Sequence, residues 1–121
     1  MKFFIVDDDY EIIDLMTVLL EGAGHDVQSC VAGEEALADI SAIKPDCVIT
    51  DLMMASLDGL ALCDEIRANP GLADVKIVMV SARDADHWRQ QALQHGAQGY
   101  LTKPIDMATF TGSVVQLIEA A

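Results

Sequence analysis

Basic residues are the scarce class in this chain: 7 Lys and Arg stand against 20 Asp and Glu, a formal net charge of −13. So acidic a surface repels phosphate backbones, which argues against direct nucleic-acid binding and calls for partners with basic or mixed surfaces. Aromatic residues are also few, 5% within a chain that is 52% hydrophobic, so the core must be built from Val, Ile, Leu, Met and Ala. Cys30, Cys47 and Cys63 are odd in number and lack metal-ligand spacing, which excludes a disulfide framework and fits reduced packing thiols in a cytosol. No apolar run approaches the roughly 18 residues of a membrane span, and no basic cleavable leader opens the chain. A soluble, cytoplasmic protein without a membrane partner is expected. There is no internal repeat, low-complexity tract or linker, and 121 residues suit one domain, residues 1–121, with a real core.

What is present is a regular alternation of two hydrophobic periods. Lys2 to Val6 reads as a strand that runs into Asp7, Asp8 and Asp9. From Tyr10 the period becomes helical, with Ile12, Met16, Leu19 and Leu20 on one face and Gly22 and Gly24 as the stop. A short strand over Asp26 to Ser29 is followed by a helix from Gly33 to Ile43, ended by Pro45 because the residue before proline avoids the helical region. Val48, Ile49 and Thr50 form a central strand ending at Asp51, and Leu57-Asp58-Gly59 closes that loop and opens a third helix. Val75 to Val80 is a fourth strand ending in Ser81-Ala82-Arg83. The helix expected over Ala85 to His95 has the smallest apolar face, and Gly99 to Leu101 is a brief strand ending at Thr102-Lys103-Pro104. Asp106 is expected to cap a last helix with a stripe of Met107, Phe110, Val114, Leu117 and Ile118. Five strands alternating with five helices predict an α/β fold, a doubly wound (βα)5 parallel sheet. The apolar runs agree, since strands covered on both faces are continuously hydrophobic.

Every polar residue of interest then falls at the C-terminal end of a strand: Asp7 and Asp8, Asp51, Ser81, Lys103. In the flavodoxin-like order 2-1-3-4-5 the first and third strands are neighbours at the switch point, so the carboxylates converge. Two unit charges about 4 Å apart at an effective dielectric near 20 repel by about 4 kcal/mol, which is a large share of a domain's stability of roughly 5 to 15 kcal/mol. Raised pKa values or a bound cation must relieve the cluster. Hard oxygen donors suit Mg²⁺ or Mn²⁺, commonly bound together with phosphate oxygens. Lys103 adds a point charge for Asp51 or a phosphoryl oxygen, Ser81 a hydroxyl donor, and Asp51 is the candidate nucleophile. Each residue alone has an ordinary explanation: Asp8 with Glu11 resembles a capping box, Ser81 and Asp58 suit loops or caps, and Lys103 suits solvent. Their common location on one sheet edge is what those explanations leave out.

The blocks Val6-Asp7-Asp8-Asp9, Asp51-Leu52-Met53-Met54 with Asp58-Gly59, Val80-Ser81-Ala82, and Gly96-Ala97 through Gly99-Tyr100-Leu101-Thr102-Lys103-Pro104 resemble, in order and spacing, a response-regulator receiver domain of the CheY-like superfamily. The resemblance covers essentially the whole chain. It implies that Asp51 accepts a phosphoryl group from a phosphohistidine of a histidine kinase or histidine phosphotransfer protein. It also implies Mg²⁺ held by Asp8, Asp51 and the Met53 backbone carbonyl, with Asp7 acting through water. Ser81 and Lys103 would contact the phosphoryl group, Tyr100 would occupy the switch-aromatic position, and the peptide before Pro104 would be cis. Gly59 would be structural, and Met53 and Arg83 would tune rates. The family often has proline where this chain has Ala55, so the loop after Met54 is expected to be more mobile than usual. Trp88 departs from the pattern, and the sequence leaves packing and partner-facing roles open.

The expected activity is therefore two-component signal reception, in which phosphorylation changes the face of the fourth helix, fifth strand and fifth helix for a downstream output protein or domain. Such a module is not an enzyme beyond its own phosphorylation and dephosphorylation. One alternative is a degenerate receiver that only binds proteins. Another is an aspartyl phosphatase of the haloacid-dehalogenase type using Asp7, against which stand the lack of room for a cap domain and the bulky Tyr10 after Asp9. A flavin module is disfavoured by the acidic loop after the first strand. The sequence leaves open whether the receiver is free-standing or part of a larger regulator.

Overall fold

Strands that are apolar on both faces need a helical layer over each, and the computed structural model of the chain, which describes residues 1–54, 58–83 and 85–120, supplies both. Five strands, β1 (Lys2–Val6), β2 (Asp26–Cys30), β3 (Cys47–Thr50), β4 (Lys76–Ser81) and β5 (Gly99–Thr102), alternate with α1 (Tyr10–Gly22), α2 (Gly33–Ile43), α3 (Gly59–Ala68), α4 (Asp86–Gln94) and α5 (Phe110–Glu119). All pairings are parallel and the order is β2-β1-β3-β4-β5, the flavodoxin-like arrangement. Alternate residues of the central strands feed two cores. Phe4, Val6, Val48 and Ile77 pack toward α2 and α3, and Phe3, Ile5, Ile49 and Val78 toward α1 and α5. Burial pushes the thiols of Cys47 and Cys63 up to about 12 and about 11, so both are inert packing groups.

Several elements differ in detail from the expectation. In α1 the buried residues are Ile13, Met16 and Leu20, with Ile12 at the margin of the apolar stripe rather than at its centre. The last helix begins later than expected. Asp106 makes its own turn, accepting from the Ala108 N–H at 2.9 Å, so α5 proper starts at Phe110 and Met107 is exposed. The expectation for the loop at Ala55, and Leu57 of the closing motif, lie outside the described residues. As expected, α4 has the thinnest apolar face, with Ala92 its one fully buried residue. Trp88 is partly buried against the core and stands edge-on to His87.

Candidate functional site

Among the described residues three polar or charged side chains are fully buried: Asp7, Thr50 and Ser81. All three lie at the C-terminal edge of the sheet. β1 and β3 are neighbours paired Val6 to Thr50, and the Asp51 N–H continues that ladder by donating to the Val6 carbonyl at 2.9 Å. The next residues of both strands therefore emerge side by side. Carboxylate oxygens of Asp7, Asp8 and Asp51 lie within 4.8 Å of one another. Asp7 is 1% exposed and Asp51 12% exposed by side chain, while Asp8 faces solvent.

The capping role open to Asp8 falls to Asp9, whose Oδ1 accepts from the Glu11 and Ile12 N–H groups at 3.0 and 3.4 Å. Asp8 is thereby left to the cluster. Asp58 does cap α3, accepting from the Ala61 N–H at 2.8 Å. Gly59, next to it, donates to the Leu52 carbonyl at 2.8 Å, and a Cβ there would strike the Asp51 carbonyl oxygen and come within 3.1 Å of the Leu52 Cα. The backbone that aims Asp51 thus needs a residue without a side chain.

Lys103 reaches the cluster from the end of β5, with Nζ 3.0 Å from Asp7 and 3.3 Å from Asp51. Its contact with Asp7 is the shorter one, a pairing that the sequence did not single out. One ammonium among three carboxylates leaves a net negative site. Burial pushes the Asp51 carboxyl above its ordinary 3.8, with Lys103 opposing and the charge of Asp7 reinforcing the rise. Burial alone would lower Lys103, but its hydrogen bond and ion pairs with Asp7 and Asp51 outweigh that and leave it above 10.5.

A chain of contacts leads from this cluster to α4. The Ser81 hydroxyl oxygen accepts from the Arg83 N–H at 3.2 Å, and the Lys103 N–H donates to the Ser81 carbonyl at 2.7 Å. The Arg83 carbonyl in turn accepts from the Tyr100 hydroxyl. Tyr100 is 3% exposed, and Arg89 of α4 lies over its ring at 5.5 Å and donates to its carbonyl at 3.0 Å. Tyr100 is therefore a buried strand residue, not a half-exposed one. Met53 and Arg83 flank the cluster as exposed side chains, and the Lys103–Pro104 peptide is cis.

Chemically, such a site offers a partly desolvated carboxylate nucleophile, a lysine beside it, and three hard oxygen donors. Mg²⁺ or Mn²⁺ fits this set, because both take carboxylate oxygen and keep places for water and phosphate oxygen. A soft-metal site would need thiols or imidazoles, and none belongs to the cluster.

Comparison with known proteins identifies the family and the fold. The profile of the response regulator receiver domain matches residues 3–115. The chain is 35% identical over 117 residues to the DNA-binding dual master transcriptional regulator RpaA of Synechocystis, covering 97% of this chain and 48% of that protein. It is 36% identical over 103 residues to the alkaline phosphatase synthesis transcriptional regulatory protein PhoP of Bacillus subtilis, covering 85% and 42%. The chain spans about half the length of these curated relatives. Among solved structures, the chemotaxis response regulator CheY4 of Vibrio cholerae superposes with a TM-score of 0.90 at 26% identity, covering 96% of this chain and 97% of that one. A putative response regulator from Chloroflexus aurantiacus gives 0.91 at 30%, covering 98% and 97%.

Proposed function

This chain belongs to the response regulator receiver domain family, and on that premise we propose that Asp51 is the residue on which it takes up its phosphoryl group. As a receiver it is a two-component signalling module rather than an enzyme in the ordinary sense. The observation that carries the assignment is the convergence of Asp7, Asp8 and Asp51 with Lys103 at the joint end of β1, β3 and β5.

In the proposed step an Asp51 carboxylate oxygen attacks the phosphorus of a phosphohistidine on a kinase or phosphotransfer protein. The new P–O bond forms as the P–N bond breaks, and the imidazole leaves with the electron pair. Lys103, already held between Asp7 and Asp51, balances charge on the incoming oxygens, and the Ser81 hydroxyl donates to another. Asp8, Asp51 and the Met53 carbonyl would hold Mg²⁺, with Asp7 acting through water. When bound, the ion supplies positive charge against the phosphoryl oxygens and the crowded carboxylates. Hydrolysis of the acyl phosphate in the same site would reset it, at rates tuned by Met53 and Arg83.

The switch follows from the contact chain. Drawing Ser81 and Lys103 onto a phosphoryl group pulls on Arg83, hence on the Tyr100 hydroxyl, and through Arg89 on α4, so the α4-β5-α5 face changes its affinity for an output protein or domain. The relatives named as DNA-binding are about twice as long. To residues 1–121 we assign reception alone, since their acidity disfavours a nucleic-acid backbone. No described helix is long and apolar enough to cross a membrane, and we place the module in the cytoplasm, where its phosphodonors work.

Incubation with acetyl phosphate and Mg²⁺ tests the reading. One hydroxylamine-labile phosphoryl group should appear, map to Asp51, require the divalent ion, and be absent from Asp51→Asn. Label on Asp7 would instead support a phosphatase. No uptake together with no thermal response to Mg²⁺ would reduce the protein to a binding module. Spectra of the α4-β5-α5 face unchanged by beryllofluoride would refute the switch.

A further inference from the structure

The two edge strands of the sheet are treated differently. At the β5 edge the Tyr100 carbonyl is taken by Arg89. At the other edge β2 pairs only with β1. The Asp26 N–H donates to the Met1 carbonyl and the Cys30 carbonyl accepts from the Asp7 N–H. In a parallel ladder backbone groups face alternate sides. Asp26, Gln28 and Cys30 therefore bond β1, and Val27 and Ser29 turn their N–H and C=O groups to the open side, where no hydrogen bond among the described residues engages them.

That open edge lies along two clefts. One, between α1 and α2, has an apolar floor including Ile13 and Val31 and carries Asp14, Glu35 and Asp39. The other, at the start of the strand, carries Glu21 and Asp26 with Lys2 as its single basic residue. Tyr10, 67% exposed, stands at the rim of the first. Five carboxylates against one lysine, beside unpaired strand groups, form a surface of definite chemistry.

We propose that the β2 edge is a docking surface for an extended, basic segment of a partner protein, added as a sixth strand. Its backbone would pair with Val27 and Ser29, and its Lys or Arg side chains would meet Asp14, Glu35 and Asp39. A second copy of this chain is the wrong occupant, because edge-to-edge pairing would set the same carboxylates against each other. The surface lies at the opposite edge of the sheet from β5, so a partner can be held here while the α4-β5-α5 face is free. Docking is independent of phosphorylation and goes beyond the function proposed above.

The probe is a synthetic peptide of alternating lysine and valine, followed by amide NMR and hydrogen exchange on the whole chain. Exchange of the Val27 and Ser29 amides should slow by at least about tenfold on binding, while an alternating glutamate and valine peptide should leave it unchanged. Ser29→Pro removes an outward N–H without touching the β1 ladder, a place where an edge strand tolerates proline, and should abolish the protection. The triple variant Asp14→Asn, Glu35→Gln, Asp39→Asn keeps the backbone intact and should weaken binding roughly tenfold; it decides the matter if Ser29→Pro does not fold. Asp51→Asn should bind the peptide as the parent does. Shifts spread over the acidic surface without protection at Val27 and Ser29, or parental affinity in the triple variant, would overturn the proposal.

Discussion

The two ends of the sheet gather polar side chains in opposite ways. At the C-terminal end three carboxylates cluster, and one lysine pairs with two of them. At the N-terminal end of β4 and β5, Arg67 of α3 spreads its guanidinium between the Gly96 carbonyl at 3.1 Å and the Gln98 Oε1 at 3.1 Å, and that same Oε1 accepts from the Ile77 N–H at 2.6 Å. Asp64 and His95 pair beside it at 2.6 Å. One end is closed by donors set against acceptors; the other has an excess of negative charge that a cation and a phosphoryl group can use. The closed network secures α3 to the turn before β5, so it serves stability, whereas the open one keeps binding free energy in reserve.

The largest effect should come from Gly59→Ala, which tests how far the open end depends on local backbone. Its Cβ would meet the backbone of Asp51 and Leu52, so the loop must shift. We expect a stability loss of about 2 to 3 kcal/mol in urea titration together with a fall in phosphorylation of more than about tenfold. Unchanged uptake in the destabilised variant would separate the loop's fit from the chemistry.

Arg67→Ala is the matching lesion at the closed end. Losing the fork leaves the Gly96 carbonyl and one Gln98 bond unmet, at a cost of about 2 kcal/mol. Arg67→Lys should recover part of it, since an ammonium cannot reproduce the planar fork. Phosphorylation under native conditions should match the parent for both. A large drop would mean that the two ends are coupled and the contrast is false.

The contrast also explains what could be read from the chain alone. The strands and the carboxylates were legible because each acid directly follows a hydrophobic run, and strand order then brings them together. The closed end was not, because Arg67, Ile77 and the turn holding Gly96 and Gln98 come from three separate segments and share no local pattern; the left-handed Gly96, φ 103°, marks only a turn. β2 was the faintest strand in hydropathy, as an edge strand with partly exposed residues should be. The start of α5 was misplaced because Asp106 caps a preceding turn rather than the helix. The burial of Tyr100 depends on Arg83 and Arg89, whose approach follows from how α4 lies against β5.

A smaller effect distinguishes the ends by ligand. Mg²⁺ at a tenfold excess over its Kd should stabilise the parent by about 1.4 kcal/mol. Asp8→Asn should lose most of that gain, and Arg67→Ala should show it in full, because the two sites share no partners. A thermal melt with and without the ion measures both. Equal loss in the two variants would erase the distinction.

The smallest effect is in pH. Asp51 titrates above its ordinary 3.8 when folded, so from that value upward, through its raised pKa, the native state holds more protons than the unfolded one. Stability of the metal-free protein must therefore fall as pH rises through this window. Lys103 is also raised, above 10.5, so its contribution is complete below 10.5 and is lost as pH climbs through the folded value. Asp51→Asn should flatten the acid limb and also diminish the alkaline one, because Asp51 is among the groups that raise Lys103. Saturating Mg²⁺, which favours the ionised carboxylate, should reverse its sign, and affinity for the ion should decline as Asp51 takes up its proton. Arg67→Ala should displace the acid limb downward without tilting it, since neither Arg67 nor Gln98 changes charge there and the Cys63 thiol on which Arg67 acts titrates only at about 11. Urea titrations across the pH series decide the point: an acid limb tilted in the Arg67 variant, or unaltered by Asp51→Asn, would show that the excess charge is not where the strain resides.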